Sequence, residues 1–202
     1  MAFSVFLNNK GKLRNLWWVA VFFLVLAAIT FPFILLSQRY TFEITILYQA
    51  VIVLAASLIC QLLRKEPLSD LFGVFNFRWI KDIFMGLFIG ALLMLIPALI
   101  LFVFGAVSWQ INTIDLSSIL SVTLLFVAVA VAEEVLFRGF IFQRLIGALG
   151  NWPAQLIIAA YFLLIHFNNP GMTGSIKVFA GINIFLASVR FGLAYIQTKS
   201  LA

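Results

Sequence analysis

The sequence predicts an all-α, polytopic transmembrane helix bundle of about six spans. Three observations carry that prediction. Hydrophobic residues make up 64% of the 202 residues and charged residues only 10%, where average soluble chains carry roughly 25% charge. Mean hydropathy is +1.16. The apolar runs are continuous rather than alternating, which favours helices over a barrel. The net charge of +6 does not indicate a nucleic-acid partner, because most basic residues lie in short segments between apolar runs. Membrane lipid is the expected surrounding. Cys60 is the single cysteine and forms no internal disulfide.

The elements follow in order. Residues 1–15 are short and basic, with Lys10, Lys12 and Arg14. A first span covers Leu16 to about Leu36, with Pro32 near its end, and Ser37-Gln38-Arg39-Tyr40 reads as a turn. The run is too long for a signal peptide, and no small-residue cleavage site follows closely. A second span covers about Ile44 to Leu63. A mixed loop carrying Arg64, Lys65, Glu66, Asp70, Arg78, Lys81 and Asp82 leads to a third, Ile83 to about Phe104. Residues 105–115 form a more polar turn. The fourth span starts near Leu116, and its helical character runs to about Leu145. Gly147 to Pro153 is a reversal, with Gly150 as C-cap, Asn151 as N-cap and Pro153 in the next first turn. A fifth span covers about Ala154 to His166. After the turn signal Asn168-Asn169-Pro170-Gly171, a sixth covers about Ile176 to Ile196. The expectation is one membrane domain over 1–202.

Lys and Arg gather on one side of these spans: Lys10, Lys12, Arg14, Arg64, Lys65, Arg78, Lys81, Arg138, Arg144 and Lys199, against Arg39 and Lys177 opposite. The positive-inside rule then predicts a cytoplasmic N-terminus in a bacterial-type plasma membrane. Trp17, Trp18 and Trp79 read as interfacial anchors, the Phe-rich stretches as packing or lipid-facing surface, and Arg190 as snorkelling or cavity-lining.

Glu133-Glu134 breaks a run that holds no charge from Leu116 to Ala132. Ionisable groups at membrane depth cost roughly 2.5–3.5 kcal/mol each, so a chain that keeps two carboxylates and Arg138 together uses them. Glu134 and Arg138, at i and i+4, share one helix face and can pair. Glu133 is turned about 100° away, so the two carboxylates can take different roles. Glu133 lies 17 residues before Gly150, and His166, the only histidine, 16 after it. Antiparallel helical arms therefore put both at one depth, about 25 Å from the turn. A carboxylate can take a proton from water. An imidazole can share that water, or bind a metal that acidifies it. The same residues also suit an ion or proton path or plain structure: a Glu–Arg pair can be purely structural, and a lone histidine near a helix end often only packs.

Glu133-Glu134 with Arg138-Gly139-Phe140, followed by Phe162-x-x-x-His166, resembles the first two motifs of the CAAX-protease and bacteriocin-processing family of intramembrane proteases. Phe185-Leu186-Ala187-Ser188 with Gly192, then Thr198-Lys199-Ser200-Leu201, is similar to the family's next segment, although the family usually has glycine where this chain has Ser188. The resemblance covers roughly 116–202 as the family-like catalytic region. It implies a membrane endopeptidase acting on a peptide or protein substrate. It implies Glu133 as general base on water, His166 as its partner or a metal ligand, and Glu134 with Arg138 as support. If a divalent metal such as zinc is used, Glu133 and His166 are the residues that would hold it. The family continues into a helix bearing a second histidine and, four residues on, an asparagine. This sequence reaches Ala202 with His166 as its one histidine. It is therefore expected to be C-terminally incomplete, or else a non-catalytic membrane protein, such as an immunity or interaction factor, that keeps the fold.

Overall fold

The computed structural model describes residues 3–40, 42–110 and 115–201. Helices dominate and no strand forms among the described residues. The elements are α1 (Phe3–Phe6), α2 (Asn15–Tyr40), α3 (Ile46–Arg64), α4 (Ser69–Phe72), α5 (Phe77–Val103), α6 (Leu116–Glu134), a wide π-helical turn (Val135–Phe140), α7 (Ile141–Leu149), α8 (Asn151–His166) and α9 (Gly174–Thr198). Five stretches are long and apolar enough to cross a membrane: Asn15–Tyr40, Ile46–Arg64, Ser69–Val103, Leu116–Leu149 and Gly174–Thr198. The protein is thus an integral membrane helix bundle. The expected fifth span is helical as α8, but its 16 residues fall short of the roughly 20 that cross a hydrocarbon core.

Several boundaries move, each for a local reason. Ser37-Gln38-Arg39-Tyr40, expected as a turn, is the last turn of α2, where Arg39 faces the negative end of the helix dipole. The third span begins earlier than expected, because the Asn76 side chain accepts from the Trp79 N–H at 3.0 Å and caps α5. Arg78, Lys81 and Asp82 therefore lie in the first turns of that helix rather than in a loop. Asn151 does not cap α8 through its side chain. Gly150, at φ +86°, ends α7 and precedes α8, a conformation that glycine adopts without strain. Of the polar turn at 105–115, residues 111–114 lie outside the described residues, as do residues 1, 2 and 202 at the ends. Asp115 caps α6, with its carboxylate accepting from the N–H groups of Ser117 and Ser118.

Helix α2 packs on α3 and α7, α3 on α6, α7 on α8, and α8 on α9. Their shared core holds Phe22, Ala56, Cys60, Phe137, Phe140, Phe142, Ile158 and Phe162. Trp18, expected as an interfacial anchor, instead packs inward, edge-on to Phe140. By contrast, α5 contributes no buried residue. Its surface is apolar nearly all round, as suits a helix surrounded by lipid.

Candidate active site

Helix α6 ends on the acidic pair, and the chain then widens into the π-helical turn, with a kink at Gly139 (φ −74°, ψ −121°). Wide turns of this kind recur at functional sites. This one directs Phe137, Arg138 and Phe140 into the core, where all three are buried. The turn leaves the Glu134–Arg138 pair intact: Arg138 Nη1 donates to Glu134 Oε1 at 3.2 Å. Arg138 is only 1% exposed. Its Nε and Nη2 have no hydrogen-bond partner among the described residues. Aromatic faces surround the guanidinium instead, with ring centroids at 5.1 Å for Phe162, 5.0 Å for Phe191 and 5.8 Å for Phe137. Cation–π attraction offsets part of the desolvation there. Sequence counting had placed Arg138 among the loop cations; it lies inside the bundle.

Glu133 points elsewhere. Its Oε1 lies 3.4 Å from Nε2 of His166, at the far end of α8. The equal spacing from Gly150 is realised as contact. Both side chains are partly open, Glu133 by 33% and His166 by 20%, so neither is sealed from its surroundings. On the other side of the imidazole, Nδ1 lies 2.8 Å from the carbonyl oxygen of Phe162. A carbonyl only accepts, so Nδ1 carries the proton in that bond. The Phe162 ring also lies against the imidazole, with centroids 4.3 Å apart. Phe162 therefore touches both Arg138 and His166, and fixes the ring's tilt and tautomer.

Neither of two well-formed cavities includes Glu133 or His166. One is lined by Asp70, Arg78, Trp79, Asp82, Lys199 and Ser200 among others, and the second by Asn8, Arg14, Trp17 and Gly147 among others. The first lies where α5 begins and α9 ends, the second where α2 begins and α7 ends. Among the described residues no group of three His, Cys, Asp or Glu side chains comes together. Glu133 and His166 thus supply two donors where a catalytic zinc takes three protein ligands. Among the described residues the donor set is one short of that metal.

The geometry brings together all four predicted site residues, in two pairs joined by Phe162. Residues 115–202 match the family model Type II CAAX prenyl endopeptidase Rce1-like. The resemblance expected from the motifs is thereby met over this region, which is similar to that family. The Rce1-like match opens at the α6 cap and contains Glu133, Glu134, Arg138, Phe162 and His166. No curated protein and no solved structure matches the chain.

The Rce1-like region also contains a contact that sequence reasoning missed. Gln155 of α8 is fully buried and its Nε2 donates to the Ser188 carbonyl of α9 at 3.2 Å. A Cβ on Gly192 would overlap the Gln155 carboxamide. A glutamine in an otherwise apolar helix was the available signal. Arg190 is exposed on α9, apart from both pairs.

Proposed function

We propose that this protein is an intramembrane peptide hydrolase in which Glu133 and His166 activate water. The observation that carries this reading is the 3.4 Å approach of Glu133 Oε1 to His166 Nε2, with Nδ1 held by Phe162. With the Nδ1 proton committed to a carbonyl, Nε2 and the carboxylate would oppose lone pairs unless a proton or a water lay between them. A water seated beside the pair, donating to both atoms, removes that opposition. Glu133 takes one of its protons as the oxygen bonds to the scissile carbonyl carbon. When the C–N bond breaks, the same proton passes from Glu133 to the leaving amine. His166 Nε2 orients the water. Glu134 and Arg138 hold the acidic segment, and the region 116–202 acts as the catalytic part of a single membrane domain. The substrate is a membrane-held peptide or protein, cut at the basic end of the bundle. We assign that end to the cytoplasm on the count of Lys and Arg.

The test is cleavage of a lipid-tethered peptide by the complete protein in vesicles. Glu133→Gln is expected to lower the rate by at least about 100-fold while the melting temperature stays put. Full activity in that variant would overturn the assignment. A second reading is a non-catalytic immunity or interaction factor, in which the Glu133–His166 contact only holds α8 against the end of α6. It requires that a protective phenotype survive both Glu133→Gln and His166→Ala.

A further inference from the structure

A second charged cluster lies where α3 ends beside α7. The Arg64 guanidinium sits 5.8 Å from the Trp18 ring and 5.9 Å from the Phe140 ring. The Arg144 guanidinium sits 5.5 Å from the same Phe140 ring. Phe22 stacks on Phe140 at 5.6 Å and 16°, which occupies one face of the ring. The two guanidiniums are thereby crowded onto what remains. Each is steered by a neutral amide: Arg64 Nη1 donates to Gln61 Oε1 at 3.4 Å, and Arg144 Nη2 to Gln143 Oε1 at 3.3 Å. Both amides are themselves anchored, Gln61 by donating to the Pro67 carbonyl at 2.8 Å and Gln143 to the Leu71 carbonyl at 2.9 Å.

Two like charges are thus held close on a fixed frame. Among the described residues no carboxylate lies within ion-pair distance of either. Glu66, one acid of this end, pairs with Lys12 at 3.3 Å, and Asp70 is exposed beside the cluster. Arg144 Nε is buried and has no hydrogen-bond partner. Guanidinium forks match phosphate oxygens in pairs, and an anion between two cations removes their repulsion.

We propose that Arg64 and Arg144 form a phosphate-binding site at the membrane surface, filled by the headgroup of an anionic phospholipid. Arg64 ends the spanning helix α3, and headgroups stand at the ends of spanning helices.

The test uses the full chain in a neutral detergent and reads the thermal shift. Three probes are added separately: short-chain phosphatidylglycerol, a diacylglycerol of the same chain length that lacks phosphate, and inorganic phosphate. Phosphatidylglycerol is expected to raise the melting temperature and the diacylglycerol to leave it unchanged. Arg64→Gln and Arg144→Gln are each expected to weaken half-saturation roughly fivefold, and Arg78→Gln, a cation of the same end outside the cluster, to leave it unchanged. Should a glutamine variant fail to fold, Arg144→Lys keeps the charge without the fork and is still expected to weaken binding. A shift from inorganic phosphate alone, lost in the same variants, supports the phosphate site and makes its source soluble. Equal shifts from phosphatidylglycerol and diacylglycerol overturn the proposal, as does a phosphatidylglycerol shift indifferent to both arginines.

Discussion

Gly192 of α9 and Gln155 of α8 meet with no room for a methyl group between them. The carboxamide cannot simply swing aside, because its Nε2 holds the Ser188 carbonyl. Gly192→Ala is therefore expected to destabilise the protein by about 1–3 kcal/mol, as overpacking does, despite alanine's better helix propensity. In a Gln155→Ala background the same substitution is expected to be neutral or stabilising. A double-mutant cycle of melting temperatures in detergent checks this; equal costs in both backgrounds would show that the contact is slack.

Glu134 and Arg138 are a pair of which one member is almost wholly buried. Glu134→Gln leaves that guanidinium without its counter-charge and is expected to cost about 3–5 kcal/mol. Replacing both, as Glu134→Gln with Arg138→Met, is expected to cost less than Glu134→Gln alone, since no unpaired charge remains. Denaturation of the three proteins side by side decides it. A double variant weaker than Glu134→Gln counts against this account.

Asp115 lies outside the spans, and its carboxylate is held below the usual range, first by the Ser118 hydroxyl, then by the Ser117 hydroxyl and its N–H. A lowered folded-state value means that the stabilisation is present above the unfolded value of about 3.9 and fades as pH falls through the folded one. Asp115→Ala is accordingly expected to melt below the wild type at pH 7. The difference should close on acidification beneath about pH 4. A gap unchanged between pH 7 and pH 3 rules out the carboxylate as its source.

Glu133 and His166 offer two donors where zinc takes three. A site that works with these two donors alone is expected to keep cleaving, within about twofold, in a strong chelator. Abolition by chelator with rescue by added zinc would reveal a third ligand and replace the water-activation scheme.

Much of the site could be read from residue spacing. Equal counts from Gly150 put Glu133 and His166 at one depth, and the i, i+4 rule paired Glu134 with Arg138. Both hold because helical rise is uniform along apolar segments. The wide turn at Val135–Phe140 was hidden, since Val-Leu-Phe-Arg-Gly-Phe has no sequence mark that separates a π-helical turn from an α-helical one. Phe191 was hidden for a related reason: its place against Arg138 depends on the rotation of α9, and apolarity on all sides leaves rotation unspecified. The start of α5 was misjudged because hydropathy weighs charge above capping, so Arg78, Lys81 and Asp82 masked the signal of Asn76.

The lack of buried residues on α5 ties this protein to the thickness of its membrane. Its apolar part past Asp82, residues 83–103, measures about 32 Å at 1.5 Å per residue, close to the roughly 30 Å of hydrocarbon. With no buried residue to set its slant, α5 answers a change in bilayer thickness by tilting. Its first turns carry Arg78, Trp79 and Asp82, which wall one side of a cavity whose other side is Tyr195, Thr198 and Lys199 of the α9 end. A thinner bilayer tips the helix further and moves one wall against the other. Lipid chain length is then a mechanical input to the C-terminal end of α9, delivered without any ligand.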